Sequence, residues 1–104
     1  MKKICCVLLA MLPLSAFAYP IDVEKHLNGL KIDYTTYATD YDMGSITLNN
    51  YGDKAADCKV IFRNGPESPR TRRVTVEPGR SAELSAKFSR SIIKLYLTVT
   101  CTPK

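Results

Sequence analysis

From Leu30 onward the chain alternates apolar and polar residues, and short groups of turn-forming residues interrupt the alternation at regular intervals. No other feature constrains the fold as much. Successive side chains of a strand point to opposite faces of a sheet, so a strand with one buried face shows a period of two. Leu30, Ile32 and Tyr34 alternate with Lys31, Asp33 and Thr35. Residues 44–49 place Ile46 and Leu48 on one face. Ala56, Cys58, Val60 and Phe62 against Asp57, Lys59, Ile61 and Arg63 form the clearest strand. Residues 71–77 carry Val74 and Val76 on one face, and Ala82, Leu84, Ala86 and Phe88 share another. Ile93, Leu95, Leu97, Val99 and Cys101 predict a long central strand. Thr39-Asp40-Tyr41-Asp42, Asn49-Asn50-Tyr51-Gly52-Asp53 and Asn64-Gly65-Pro66 separate these runs, and Glu77-Pro78-Gly79-Arg80 fits a type II turn. Six strands with turn signals every 8 to 12 residues or so specify an all-β sandwich or small barrel.

The first 18 residues stand apart from this pattern. Lys2 and Lys3 precede an apolar run from Ile4 to Leu14, and Ala16-Phe17-Ala18 has the small-x-small form of a cleavage site. The run is shorter than the roughly 20 residues needed to span a bilayer. Residues 1–18 therefore read as a cleaved secretory signal peptide, and no other run is apolar enough to be a transmembrane segment. Its compact form suits a Gram-negative bacterium, which places the mature chain in the periplasm, with secretion as the alternative. Residues 19–29 form an N-terminal arm or a short helix capped by Asp22 and ended by Asn28-Gly29, and residues 30–104 form the β domain.

Cleavage removes Cys5 and Cys6, leaving Cys58 and Cys101. Two cysteines in an oxidising compartment are expected to pair as one structural disulfide. Both lie on the apolar phase of their strands, so the bridge would be buried, between facing sheets or between neighbouring strands. A redox-active pair would more often take the C-x-x-C form.

The charged fraction of 24% and the hydrophobic fraction of 45% are those of a folded domain. Loss of Lys2 and Lys3 lowers the net charge from +5 to +3. Residues 19–58 carry −4 and residues 59–104 carry +7, so the fold has an acidic and a basic face if the two halves do not interleave.

Part of the chain is similar to a known module. Ile46-Thr47-Leu48-Asn49-Asn50-Tyr51-Gly52-Asp53, then Cys58-Lys59-Val60-Ile61-Phe62, then Val74-Thr75-Val76-Glu77-Pro78-Gly79-Arg80-Ser81-Ala82 follow the order of bacterial immunoglobulin-like domains of the CARDB-like kind. The resemblance covers about residues 46–99. It implies an immunoglobulin-like β-sandwich of six to seven strands that binds or supports and has no catalytic residues. The chain lacks the tryptophan that packs on the disulfide of antibody domains.

Catalytic and metal chemistry find little to stand on. His26 is the only histidine, too few for a blue-copper or zinc-protease site. There is no G-x-S-x-G elbow, P-loop or dinucleotide fingerprint. Asp40-Tyr41-Asp42-Met43-Gly44 echoes a calcium loop, but Tyr51 stands where a bidentate glutamate is needed. No cofactor and no metal are expected. Two clusters fit binding instead. Arg70, Arg72 and Arg73, with Arg63, Arg80 and Arg90 nearby in sequence, form a candidate site for an anion or an acidic partner. Tyr37, Tyr41 and Tyr51, with Tyr34, form a candidate interface in the acidic half. The sequence thus leads to a small exported binding protein without catalytic activity, of inhibitor or immunity type. Its partner would be another envelope or exported protein or an anionic surface rather than nucleic acid, whose binding the compartment disfavours. The alternative is a structural envelope component with no dedicated ligand. Activity lost in His26→Ala would point instead to a small enzyme.

Overall fold

A computed structural model describes residues 19–104, and the leader expected over residues 1–18, with Cys5 and Cys6, lies outside the described residues. The described chain is all β, with seven strands in two sheets that pack as a sandwich. The strands are β1 (Ile21–His26), β2 (Ile32–Asp40), β3 (Met43–Asn50), β4 (Ala56–Arg63), β5 (Arg70–Val76), β6 (Ser81–Lys87) and β7 (Leu95–Pro103). One sheet runs β1-β7-β4-β5 and the other β2-β3-β6.

The period-two pattern becomes the core. Ala56, Cys58, Val60 and Phe62 of β4 and Leu95, Leu97, Val99 and Cys101 of β7 point inward from the first sheet, and Ile46 and Leu48 of β3 meet them from the second. Gly44 lies on the same inward phase of β3, and a methyl group there would run into the Leu95 side chain. Leu95 thus packs directly on the β3 backbone.

Two departures from the sequence pattern have local causes. Residues 21–26 are a strand and not a capped helical turn, because β1 finds a parallel partner in β7, with Ile21 opposite Leu95 and His26 opposite Thr100. Asn28 and Gly29 then both take positive φ, and the Leu30 amide bonds the Leu27 carbonyl, which is a type I′ turn. Ile93 does not continue the buried row of β7. It is 83% exposed, Ile92 is buried instead, and the bend at Ile93 and Lys94 shifts the phase so that the strand begins at Leu95. The turn at Glu77–Arg80 forms as its residues require, with Gly79 at φ 74° and the Arg80 amide on the Glu77 carbonyl at 3.1 Å.

Cys58 and Cys101 form the one disulfide among the described residues. They are directly opposite one another on the adjacent strands β4 and β7, with Cα atoms 4.1 Å apart. Of the two placements open to the sequence, the bridge therefore takes the one within a sheet.

At one end of the sandwich Glu67 clasps two loops together. Its carboxylate accepts the amides of Ser89 at 2.9 Å and Arg90 at 3.1 Å and the Asn64 side-chain amide at 3.0 Å, with the Arg70 guanidinium 4.0 Å away. The Ser89 amide does most to hold this carboxyl below the usual carboxylate range, with Arg90, Asn64 and Arg70 adding to it. A carboxyl more acidic in the folded than in the unfolded chain stabilises the fold at neutral pH. That contribution is lost as pH falls through the folded-state value. Glu67→Gln should therefore flatten the acid limb of stability against pH, measured by thermal melting from neutral pH to about pH 3. Parallel wild-type and variant curves would show that the clasp does not contribute.

Candidate functional site

The side on which each strand lies decides what each charged or aromatic side chain can do. β5 and β6 are brought together at one side of the sandwich by arginines. Arg70 and Arg72 fall on the inward phase of β5, opposite Phe62 and Val60 of β4. At the sheet edge they have no core to enter, and they reach across to the other sheet. Arg70 Nε donates to the Lys87 carbonyl at 3.3 Å and Arg72 Nε to the Ser85 carbonyl at 3.0 Å. The Arg70 guanidinium also lies 5.1 Å from the centre of the Phe88 ring. Inward-pointing charge is one of the ways a sheet edge is kept from pairing with another chain. Arg70→Ala/Arg72→Ala should therefore leave β6 carbonyls unpaired and produce concentration-dependent association. Size-exclusion chromatography tests this, and a variant that stays as monomeric as wild type would show that the arginines do not guard the edge.

Arg73 has the opposite orientation. It lies on the outer face of the first sheet, directly across from Lys59. The structure therefore does not bring Arg70, Arg72 and Arg73 together as one site. Two are tied to main-chain carbonyls and one faces out. Lys59 and Arg73 border an open cleft of about 710 Å³ with Asp57, Thr75, Thr100 and Thr102. Asp57 accepts the Thr75 hydroxyl at 2.7 Å, and among the described residues neither cation is in an ion pair. Like charges directly opposite across a ladder oppose pairing, and an anion between them would offset that repulsion.

The tyrosines are spread along β2. Tyr37 projects from the outer face of its sheet, Tyr41 lies in the turn after β2, and Tyr51 stands beside the start of β2, 64% exposed. The Tyr51 hydroxyl donates to Asp33 at 2.8 Å, and the Tyr34 amide donates to the other carboxylate oxygen at 2.9 Å. These two bonds, with the Lys25 charge, hold Asp33 below the usual carboxylate range, and Asp33 in turn pushes the Tyr51 phenol up. Tyr34 points the other way, half-buried against the core, with the Lys25 ammonium 5.5 Å from its ring centre.

β2 is also a sheet edge, and its outer backbone is open. The Lys31 carbonyl accepts the Tyr51 amide, so the odd-numbered residues Lys31, Asp33, Thr35 and Tyr37 turn their backbone toward β3. Tyr34, Thr36 and Ala38 turn theirs outward. The Tyr34 amide is taken by Asp33, and among the described residues no hydrogen bond outside the β2–β3 ladder reaches the backbone of Thr36 or Ala38. The turn beyond is held firmly. The Tyr19 hydroxyl donates to the Met43 carbonyl at 2.6 Å and lies 3.1 Å from that of Asp40. Burial, then Asp40 and Asp42, push that phenol up.

The sequence pointed to tyrosines and arginines by composition. It missed the backbone of Thr36 and Ala38, because an open edge is a property of strand order and leaves no residue signal. No cluster of three or more metal-ligating side chains occurs among the described residues, and no helix there is long and apolar enough to cross a membrane. Comparison with protein-family models and with curated proteins returned no match.

Proposed function

We propose that the protein is a small exported binding protein that works without catalysis, and that the β2 edge receives its partner. The contrast among the four sheet edges carries this reading. β6 has its carbonyls capped by Arg70 and Arg72, and β5 supplies those arginines. β1 is six residues long and carries Asp22, Glu24 and Lys25, with Glu24 on His26 at 3.0 Å and Asp22 on Lys94 at 3.2 Å. β2 is nine residues long, and from Tyr34 to Thr39 it has neither charge nor proline. Long edges without charge or proline are what proteins ordinarily avoid, because they pair with other strands, and the register shift of β2 comes only after Ala38. One left open beside three that are guarded suits strand addition, in which a partner segment extends the sheet. Tyr37, Tyr41 and Tyr51 flank it with amphipathic rings common at interfaces.

Photo-cross-linking in the exporting cell tests the reading. A benzoylphenylalanine in place of Tyr37 should give a discrete adduct, and one in place of Tyr96, on the outer face of the other sheet, should not. Adducts from neither position, or the same from both, would remove β2 as the partner site. A ligand held by Lys59 and Arg73 would instead respond to Lys59→Glu/Arg73→Glu. Charge reversal at Arg70 and Arg72 would confuse binding with loss of the edge cap.

A further inference from the structure

We infer that the β2 edge takes an extended segment of another exported polypeptide in which apolar residues alternate with basic ones. This rests on reading β2 as the strand acceptor, and it adds what the strand must look like.

The inward residues of the segment are set by an imbalance between the sheets. One sheet has four strands and the other three. The arginine bridges set β5 against β6 at one side, so at the far side β1 extends past the smaller sheet. The core residues reflect this. Ile21 and Val23 of β1 are only half-buried, while Leu95 and Leu97, their partners on β7, are at most 1% exposed. The Lys25 chain, laid on the Tyr34 ring, covers part of this gap, and the Tyr19 hydroxyl crosses at its end to the β2–β3 turn. A strand added to β2 would bring the smaller sheet to four and lie over β1. Its inward side chains would meet Ile21, Val23 and Tyr34, and apolar groups gain by covering them.

The outward residues are set by charge. The two acidic edge strands lie at one side and the basic pair at the other. β1 and β2 together carry −3 through Asp22, Glu24, Asp33 and Asp40 against Lys25. β5 and β6 carry +3 through Arg70, Arg72, Arg73 and Lys87 against Glu83. The asymmetry between the halves of the sequence therefore survives in space. Asp33 and Asp40 stand near the two ends of the open stretch, where they attract cations on an incoming strand. A second copy is a poor occupant, because pairing two β2 edges would bring two acidic sides together. The backbone supplies the remainder of the recognition. The carbonyls of Tyr34, Thr36 and Ala38 and the amides of Thr36 and Ala38 face outward along five residues, so a segment of about seven residues spans them.

The test uses residues 19–104 and two capped heptapeptides, one alternating valine with lysine and one alternating valine with glutamate. Binding is followed by fluorescence anisotropy, and the site by amide hydrogen exchange. The lysine peptide should slow exchange in β2, at Thr36 and Ala38, and bind about tenfold more tightly than the glutamate peptide at low salt. The gap should narrow as salt is raised. Asp33→Asn/Asp40→Asn, which keeps acceptor oxygens at both positions, should remove the selectivity and leave the protection. Thr36→Pro should abolish binding while keeping the fold, because that amide faces away from β3. Equal protection of β2 by both peptides overturns the basic preference and leaves the acceptor edge standing. A native spectrum with no β2 protection by either peptide overturns both. Protection of β2 without peptide, with doubling of the mass, makes the occupant a second copy and overturns this proposal.

Discussion

Replacing Cys58 and Cys101 together by alanine should cost about 4 kcal/mol of stability. The cysteines are 43 positions apart, and a bridge of that span removes much of the freedom of the unfolded chain. Its position adds to the effect. β4 and β7 are the two inner strands of the four-stranded sheet, and each packs its apolar row into the core. Slipping either by one residue would turn Val60 and Phe62, or Leu97 and Val99, toward solvent. The disulfide joins residues directly opposite one another and so fixes that register by a covalent bond. Urea denaturation of wild type and the double variant measures the cost. A difference under about 1 kcal/mol would mean that the unfolded chain keeps these strands together without the bridge.

Asn50→Leu should cost about 3 kcal/mol, although leucine fits a core position by size. Asn50 is buried at 2% exposure on the inward phase of β3. Its amide donates to the Lys54 carbonyl at 2.8 Å and to the Val76 carbonyl at 3.0 Å, and its own carbonyl accepts the Gly52 amide at 2.9 Å. One side chain thus fastens the β3–β4 loop and ties β3 to β5 of the other sheet. Leucine would leave these main-chain groups without their partner, and groups shielded from water are costly to leave so. Asn50→Asp, which keeps the Gly52 bond and loses the two donors, should be intermediate or worse. Equilibrium unfolding ranks the three, and a leucine variant as stable as wild type would show that water replaces the side chain.

The strands were legible because each buries one face. The alternation around Cys58, Val60 and Phe62 and the Pro78-Gly79 turn are local, and local rules suffice for them. β1 was harder to read. Ile21 and Val23 show the same period, but Leu27 and Leu30 blur it, and the strand exists because β7 lies ready to pair with it. Ile93 was misplaced because one bend moves the phase, and Ile92 and Ile93 have the same chemistry. The basic cluster was legible as composition and not as arrangement. Arg72 and Arg73 are adjacent in the chain and therefore leave a strand on opposite faces. Whether the inward one meets core or another strand's carbonyl depends on an edge position that the sequence does not mark.

The parallel pairing of β1 with β7 has a consequence for how the molecule comes into being. The first described strand has the last one as its only neighbour, with Leu95 also bonded to the Pro20 carbonyl at 3.0 Å. A polypeptide delivered from its N-terminus, through a ribosome or a membrane pore, would expose β1 long before β7 arrives. The larger sheet cannot close meanwhile, and its second cysteine is still to come. Folding of this sheet is therefore deferred until β7 has emerged. Until then the chain can still be threaded.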